Sequence, residues 1–324
     1  MSIAFIFPGQ GSQFRGMLHQ LLNHPAVVRT LDEISEDLQS DVRTLDTEYG
    51  LEFTVDVQIA LLAAGVATAR ALMEQDVEPA AVSGLSVGAF AAAVTAGVLS
   101  LQDAVELVRL RADQMMKLYP SGYGLSAIVG LNESQVTKIV QALTSVQDPV
   151  FVGNINAPRQ IVIAGSNVGM DRVLDEARRQ GANRAVRLHV SVPSHCPLLQ
   201  PVADLLGARM SSVNLTPPQV IYVGNVNARA MRTKEPIARD LVSNIAHGVR
   251  WHDATTVLKE LGCNLFLEMP PGHTLSDLAK ENLAGINSVP VEASALLRVL
   301  RLAQMQKAND GAPQLIRMER IQPV

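Results

Sequence analysis

Short apolar runs alternate with longer helical patterns along this chain. Residues 3–7 are a continuous apolar run and residues 80–83 a second short, mostly apolar one, as buried strands usually are. Residues 56–75 are rich in Ala and Leu over a length that predicts a helix, and residues 87–96 are almost entirely small or apolar. Ser100 then predicts the N-terminus of a further helix. Strands and helices that alternate in this way predict an α/β fold.

The pattern changes at residues 120–124, whose sequence PSGYG is typical of a break between elements. From there to residue 191 the pattern predicts the order βαββαβ, which is that of a ferredoxin-like module. We therefore expect residues 120–191 to form a small ferredoxin-like subdomain. It would be inserted into a large α/β-hydrolase-like domain with a parallel sheet, formed by residues 1–119 and 192–324.

Charge and composition argue against several classes of partner. The chain has 324 residues and a net charge of -4, and its basic residues are scattered, whereas nucleic-acid-binding proteins usually carry a basic patch. Residues 1–7 lack the basic leader of a signal peptide, and the longest apolar stretch, 59–67, is too short to span a membrane. Cys196 and Cys263 fit neither a metal site nor a disulfide framework. We expect a cytoplasmic protein without metal, nucleic acid or membrane partners.

The sequence GLSVG at residues 84–88 matches the pattern G-x-S-x-G. A predicted strand precedes it and a predicted helix follows, which is the context that exposes a serine at the top of a sheet. The glycines let the backbone crowd together there, and the N–H after the serine points at the oxyanion that forms on attack. We predict that Ser86 is a nucleophile. The alternative is a glycine-rich turn in which Ser86 only caps the following helix.

A serine nucleophile needs a base, and the chain has seven histidines. His195 has the most distinctive setting, VPSHC, because it follows the predicted subdomain where the chain crosses back into the large domain and a cleft is expected. The residues alone leave His247 and His273 open as alternatives. Cys196 is better interpreted as a small buried apolar residue than as a reactive thiol.

Two further residues are candidates for binding a substrate. Arg111 lies near the apolar face of the helix that follows Ser100, and a guanidinium in that position needs an anionic partner. A substrate carboxylate and a structural salt bridge are equally good interpretations. Gln10 lies in the loop FPGQGSQ after the first strand, where it can project into a site. This loop lacks the lysine of a phosphate-binding P-loop, and no G-x-G-x-x-G dinucleotide motif is present in a βαβ context.

Six segments together resemble the malonyl-CoA:acyl-carrier-protein transacylase family, in the family's order and over nearly the whole chain. They are FPGQGSQ at residues 7–13, GLSVG at 84–88, Arg111 in the following helix, GNINAPRQIVIAG at 153–165, VPSHC at 192–196 and VRW at 249–251.

The resemblance implies a role for each matching position. Ser86 would be the nucleophile and His195 its base, and the Val87 N–H and Gln10 would form the oxyanion hole. Arg111 would hold the free carboxylate of malonyl.

In this family the backbone carbonyl of a glutamine before the VRW segment orients the histidine, and the matching position here is Asn244. The resemblance also implies an acyl-carrier-protein S-malonyltransferase that takes malonyl-CoA as donor. The acceptor would be the phosphopantetheine-type thiol of an acyl carrier protein, and no permanently bound cofactor is expected.

The sequence departs from the family pattern beside the serine. The family usually has the sequence GHSLGE, with a histidine before the serine and an acid after the second glycine. These two positions are Leu85 and Ala89 here. The family's GPG is Pro270-Pro271-Gly272 in this chain. Both versions resemble the transacylase (epsilon) subunit of malonate decarboxylase, which loads a dedicated carrier with a prosthetic group derived from dephospho-CoA. The departures therefore favour that role over the transacylase of fatty-acid or polyketide synthesis.

Two other functions remain as alternatives from the sequence. An α/β serine hydrolase or thioesterase has the chain order serine, acid, histidine. No convincing acid stands between Ser86 and His195, and the FPGQG loop has no place in that fold. A non-catalytic binding subunit with the same fold would be indicated by loss of Ser86 or His195, and both are present.

Overall fold

The computed structural model describes residues 2–292 and 296–311. Its strands are β1 (Ser2–Phe7), β2 (Ala81–Gly84), β3 (Tyr123–Val129), β4 (Val150–Ala157), β5 (Gln160–Ser166), β6 (Arg184–Arg187), β7 (Ile221–Val223), β8 (Ala230–Met231), β9 (Cys263–Glu268) and β10 (Asn287–Pro290). Its α-helices are α1 (Pro25–Leu38), α2 (Thr54–Met73), α3 (Gly88–Thr95), α4 (Leu101–Leu118), α5 (Glu133–Leu143), α6 (Asn167–Arg179), α7 (Gln200–Met210), α8 (Lys234–Ser243), α9 (Trp251–Glu260), α10 (Thr274–Asn282) and α11 (Leu296–Gly311).

The larger sheet has the strand order β10-β9-β1-β2-β7-β8. Its first five strands are parallel, and the short β8 pairs antiparallel with β7. In the register of β1 and β2, Phe7 lies opposite Gly84. The loop that follows β1 and the turn that follows β2 therefore emerge side by side at the carboxyl edge of the sheet, where α/β proteins usually place their sites.

Helices cover both faces of this sheet. On β1, Phe5 and Phe7 pack into the core on the side of α2, α3 and α4, whereas Ala4 and Ile6 pack on the other side with Trp251 of α9 and residues of α10. A strand buried on both faces needs apolar residues at successive positions rather than at alternate ones. This burial explains the continuous apolar run that the sequence shows at β1.

The second sheet is antiparallel and has the order β4-β5-β3-β6. With α5 after β3 and α6 after β5, the chain follows the predicted order βαββαβ. The predicted α/β fold class with a ferredoxin-like second sheet is thus confirmed. The Ile155 N–H donates to the Val249 carbonyl at 2.8 Å, which ties β4 to the chain just before α9.

The division of the chain into 1–119, 120–191 and 192–324 as domains stays a prediction. Its last segment includes residues 293–295 and 312–324, which lie outside the described residues.

Helix α2 is long and apolar enough to cross a membrane by length and composition, and it is the one such helix in the described part of the chain. Most of its apolar window, 83%, is buried inside the protein, where it packs against α1, α3 and α4. The apolar stretch at 59–67 covers only the middle of this helix. It is bounded by the polar residues Gln58 and Thr68, but both of these are buried as well. The helix is thus buried beyond both ends of that stretch. It is therefore interpreted as a core helix.

Candidate active site

Ser86 lies in the tight turn between β2 and α3. Its φ is +57°, in the left-handed region that residues with a side chain rarely adopt. A Cβ on Gly84 would overlap the Gly88 carbonyl, and a Cβ on Gly88 would overlap the Phe7 carbonyl. Glycine is therefore required on both sides of Ser86, as the G-x-S-x-G pattern predicts, because the strand, the helix and the loop after β1 approach so closely.

His195 is the histidine that the structure places against Ser86. Its Nε2 lies 2.8 Å from the Ser86 Oγ, and its Nδ1 lies 2.6 Å from the backbone carbonyl oxygen of Asn244. A carbonyl can only accept a hydrogen bond, so Nδ1 carries the proton and Nε2 presents a lone pair to the serine hydroxyl. This tautomer is the one that can take the proton of Ser86.

Burial keeps this histidine neutral. The side chain of His195 is 1% exposed, and desolvation together with the nearby charge of Arg111 lowers its pKa from 6.5 to about 4. The Asn244 carbonyl opposes this shift, because it stabilises the charged ring. At neutral pH His195 is therefore unprotonated and available as a base.

The other two candidate histidines lie away from the serine. His247 is exposed, with its Nδ1 2.9 Å from the Ser243 carbonyl, and His273 is exposed and paired with Asp277. The thiol of Cys196 is buried and contacts the Pro193 carbonyl, and desolvation raises its pKa to about 12. A thiol with that pKa stays protonated at neutral pH and is a poor nucleophile.

Arg111 on α4 points into the same cleft and is only 1% exposed. Its Nη2 donates to the Ser86 Oγ at 3.1 Å and its Nη1 donates to the Gln58 Oε1 at 2.6 Å, while its Nε is buried without a partner. Desolvation lowers its pKa to about 9, so it remains charged at neutral pH. Among the described residues no carboxylate contacts this guanidinium. A buried cation without an acid is the arrangement expected of an anion-binding group, and a structural salt bridge is not observed.

The two predicted oxyanion groups flank the serine. The Val87 N–H follows Ser86 at the start of α3, and it has no hydrogen-bond acceptor among the described residues. Gln10 lies in the loop after β1, and its Oε1 accepts a hydrogen bond from the Gln58 Nε2 at 3.2 Å. The positive end of the α3 dipole adds to the stabilisation of an anion at this position.

These groups meet in a narrow cleft of about 40 Å³. Larger cavities lie elsewhere, including one of about 810 Å³ between α7 and α8. The cleft is identified by its chemistry and not by its size, because it brings a serine, a neutral histidine and a buried arginine into direct contact. Its walls also include Leu125, Asn154 and Val190 from the second sheet and the segment after it.

Two residues that contact this site were not predicted from the sequence. Gln58 bridges Arg111 and Gln10. The one feature of the sequence that could have indicated it is a single glutamine within the apolar pattern of α2. Asn225 contacts the serine turn, and it follows β7 in the sequence GNVN. No local pattern links either residue to Ser86, because the contacts join distant parts of the chain.

Comparison with known proteins agrees with the geometry of the cleft. A family model described as an acyl transferase domain matches residues 4–311. The chain belongs to this family. It is 33% identical over 315 residues to the malonyl CoA-acyl carrier protein transacylase of Bacillus subtilis, covering 96% of this chain and 99% of that protein. It is 36% identical over 309 residues to the protein of the same name from Escherichia coli K12, covering 92% and 99% respectively.

Solved structures of acyl transferase family members share this fold. The malonyl CoA-acyl carrier protein transacylase of Coxiella burnetii superposes with a TM-score of 0.87 at 34% identity, covering 93% of this chain and 97% of that chain. A malonyl-transacylase in complex with a type II PKS acyl-carrier protein superposes with a TM-score of 0.88 at 34% identity, covering 93% and 100%. The resemblance to the transacylase family noted in the sequence is confirmed.

The low pKa of His195 predicts how the reactivity of Ser86 depends on pH. The rate at which an uncharged sulfonyl fluoride labels Ser86 should stay level as the pH falls from about 8 to about 6 and should drop as it falls through about 4. Below that pKa the ring carries a second proton and cannot accept one from the serine. Labelling is followed by mass spectrometry, with Ser86→Ala as the unlabelled control. A drop centred on the ordinary histidine pKa of 6.5 would contradict the account.

Proposed function

We propose that this protein is a malonyl-CoA:acyl-carrier-protein transacylase, which transfers malonyl to the carrier thiol through a malonyl-serine intermediate. The observation that carries the proposal is the contact of one serine hydroxyl with two groups. Ser86 Oγ lies 2.8 Å from the neutral His195 and 3.1 Å from the buried Arg111. The first group activates a nucleophile, and the second selects an acyl group that bears an anion. Membership of the acyl transferase family and the names of the relatives support the same function.

In the first half-reaction the carboxylate of malonyl-CoA binds Arg111 and the thioester carbonyl lies over Ser86. The Ser86 Oγ attacks the carbonyl carbon while His195 Nε2 accepts the hydroxyl proton. The Val87 N–H and the loop of Gln10 stabilise the oxyanion of the tetrahedral intermediate. The intermediate collapses, the C–S bond breaks, and His195 returns the proton to the CoA sulfur. The products are CoA thiol and malonyl-Ser86.

The second half-reaction runs the same steps in reverse with a different thiol. The phosphopantetheine-type thiol of the carrier loses its proton to His195 and attacks malonyl-Ser86. The ester bond to the serine breaks, and His195 returns the proton to the Ser86 oxygen. The carrier leaves as a malonyl thioester, and the free serine is regenerated.

The relatives support a general acyl-carrier-protein transacylase better than the malonate decarboxylase subunit that the sequence favoured. That preference depended on Leu85, Ala89 and the segment 270–272. Ala89 is fully buried in α3, so it contacts neither donor nor carrier, and Leu85 is half-buried at the edge of the cleft. Ala89 therefore reports on packing behind the serine turn rather than on the carrier. We therefore propose the role in fatty-acid or polyketide synthesis.

Arg111→Ala should reduce malonyl transfer about 100-fold or more, since it removes charge-assisted hydrogen bonds to the carboxylate. Acetyl transfer should fall much less, because an acetyl group offers no carboxylate to bind. The measurement compares kcat/KM for malonyl-CoA and acetyl-CoA. Arg109→Ala is a matched control, because Arg109 is an exposed arginine on the same helix. Equal losses for the two donors would reject the role of Arg111.

The choice of carrier is tested with two purified acceptors. We expect malonyl to appear on an acyl carrier protein that bears phosphopantetheine faster than on a malonate decarboxylase carrier that bears the group derived from dephospho-CoA. The transferred malonyl is followed by the mass of each carrier. Transfer to the second carrier alone would establish the malonate decarboxylase role. Consumption of malonyl-CoA without either acceptor would indicate a thioesterase.

A further inference from the structure

The strained conformation of Ser86 is held by a side chain from a distant part of the chain. The amide of Asn225 accepts a hydrogen bond from the Ser86 N–H at 3.0 Å through Oδ1 and donates one to the Gly84 carbonyl at 2.9 Å through Nδ2. One planar group thus ties together both ends of the turn. A residue with positive φ persists only when its surroundings fix it, and Asn225 supplies two of the contacts that do so.

The chemistry of the two contacts restricts the residue at position 225. The turn presents one donor, the Ser86 N–H, and one acceptor, the Gly84 carbonyl. A carboxamide offers an acceptor and a donor side by side, whereas an ionised carboxylate offers acceptors only. Asn225 is 1% exposed, so water cannot readily replace either partner.

Asn225 is itself fixed by a buried carboxylate. Its backbone N–H lies 2.9 and 3.0 Å from the two carboxylate oxygens of Asp240, which also accepts from the Val226 N–H and the Tyr222 hydroxyl. Asp240 is 4% exposed. It approaches so closely that a Cβ on Gly224 would lie 2.9 Å from its Oδ1, a distance real Cβ atoms do not show. Four hydrogen bonds to one carboxylate hold the segment before and after Asn225 in a single conformation.

Asp240 and Asn244, whose carbonyl orients His195, both lie at the C-terminal end of α8. The Asn244 N–H donates to the Asp240 backbone carbonyl at 2.9 Å, one helical turn earlier, at the end of α8. The Asn244 carbonyl in turn accepts from His195 Nδ1. The last turn of α8 therefore supports the base directly and the nucleophile through Asn225.

We propose that Asn225 and Asp240 are positioning residues that hold Ser86 in its reactive conformation, so that the last turn of α8 sets the geometry of both Ser86 and His195. This inference rests on the proposed function only in taking Ser86 as the nucleophile. Neither Asn225 nor Asp240 touches the acyl group in this scheme. Their effect should appear in the rate of reaction at Ser86 and not in the binding of the donor.

The first test replaces Asn225 and measures two reactions. Asn225→Ala should lower kcat for malonyl transfer about 10- to 100-fold with little change in KM, because a misplaced nucleophile reacts slowly although the substrate still binds. It should lower the rate of Ser86 labelling by a sulfonyl fluoride by a similar factor. Asn227→Ala is the matched control, because Asn227 lies two residues further along the chain and its side chain is exposed. This variant should retain both rates.

The second test separates positioning from a loss of folding. Asn225→Asp has the same shape, but only its protonated carboxyl can both donate to the Gly84 carbonyl and accept from the Ser86 N–H. The labelling rate of this variant relative to the wild type should therefore rise as the pH is lowered towards 5. The charged and titratable groups around the turn are Asp240, Tyr222, His195 and Arg111, and Asn225→Ala retains all of them. Its relative rate should not change with pH.

The outcomes distinguish the inference from the proposed function. Wild-type labelling rates in both variants would overturn the positioning role, whether or not malonyl transfer is observed. A relative rate for Asn225→Asp that is independent of pH would also overturn it, and this readout remains decisive if Asn225→Ala does not fold. A wild-type protein that labels at Ser86 but transfers no malonyl would reject the proposed function and leave the positioning role standing.

Discussion

The left-handed turn at Ser86 is the constraint on which the rest of the site depends. It can form only where β2, α3 and the loop after β1 come so close that Gly84 and Gly88 have no room for a side chain. The parallel register of β1 and β2 produces this approach, and the apolar cores on both faces of the sheet stabilise it. Once the turn is formed, the serine hydroxyl lines the cleft next to the Val87 N–H, which has no acceptor in the part of the chain that the structure describes.

Desolvation gives the surrounding groups their chemical character. Burial makes His195 a neutral base, and Arg111 stays charged with no carboxylate in contact with it among the described residues. The two effects are coupled, because the charge of Arg111 further lowers the pKa of His195. An anionic acyl group on Arg111 would offset that charge and so remove the smaller of the two causes that lower the pKa of the base, of which desolvation is the larger. The substrate carboxylate would then contribute to the reaction as well as to selection.

Local patterns in the sequence predicted the serine turn, the βαββαβ order and the setting of His195, because each depends on neighbouring residues. Asn225 could not be predicted in the same way, since 139 positions separate it from Ser86 and only the fold brings them together. Gln58 could not be predicted either, because it lies within an apolar helix and only the fold brings it to Arg111 and Gln10. The preference for a malonate decarboxylase subunit depended partly on Ala89, which the structure places in the core.

The central claim, that Ser86 carries the acyl group, is tested most directly by trapping the intermediate. The protein is mixed briefly with malonyl-CoA without a carrier, quenched in acid, digested and analysed by peptide mass spectrometry. If Ser86 carries the acyl group, malonyl is found on the peptide that contains Ser86 and is absent in Ser86→Ala. Malonyl on the peptide of Cys196, or transfer to the carrier without any malonyl-enzyme, would contradict it.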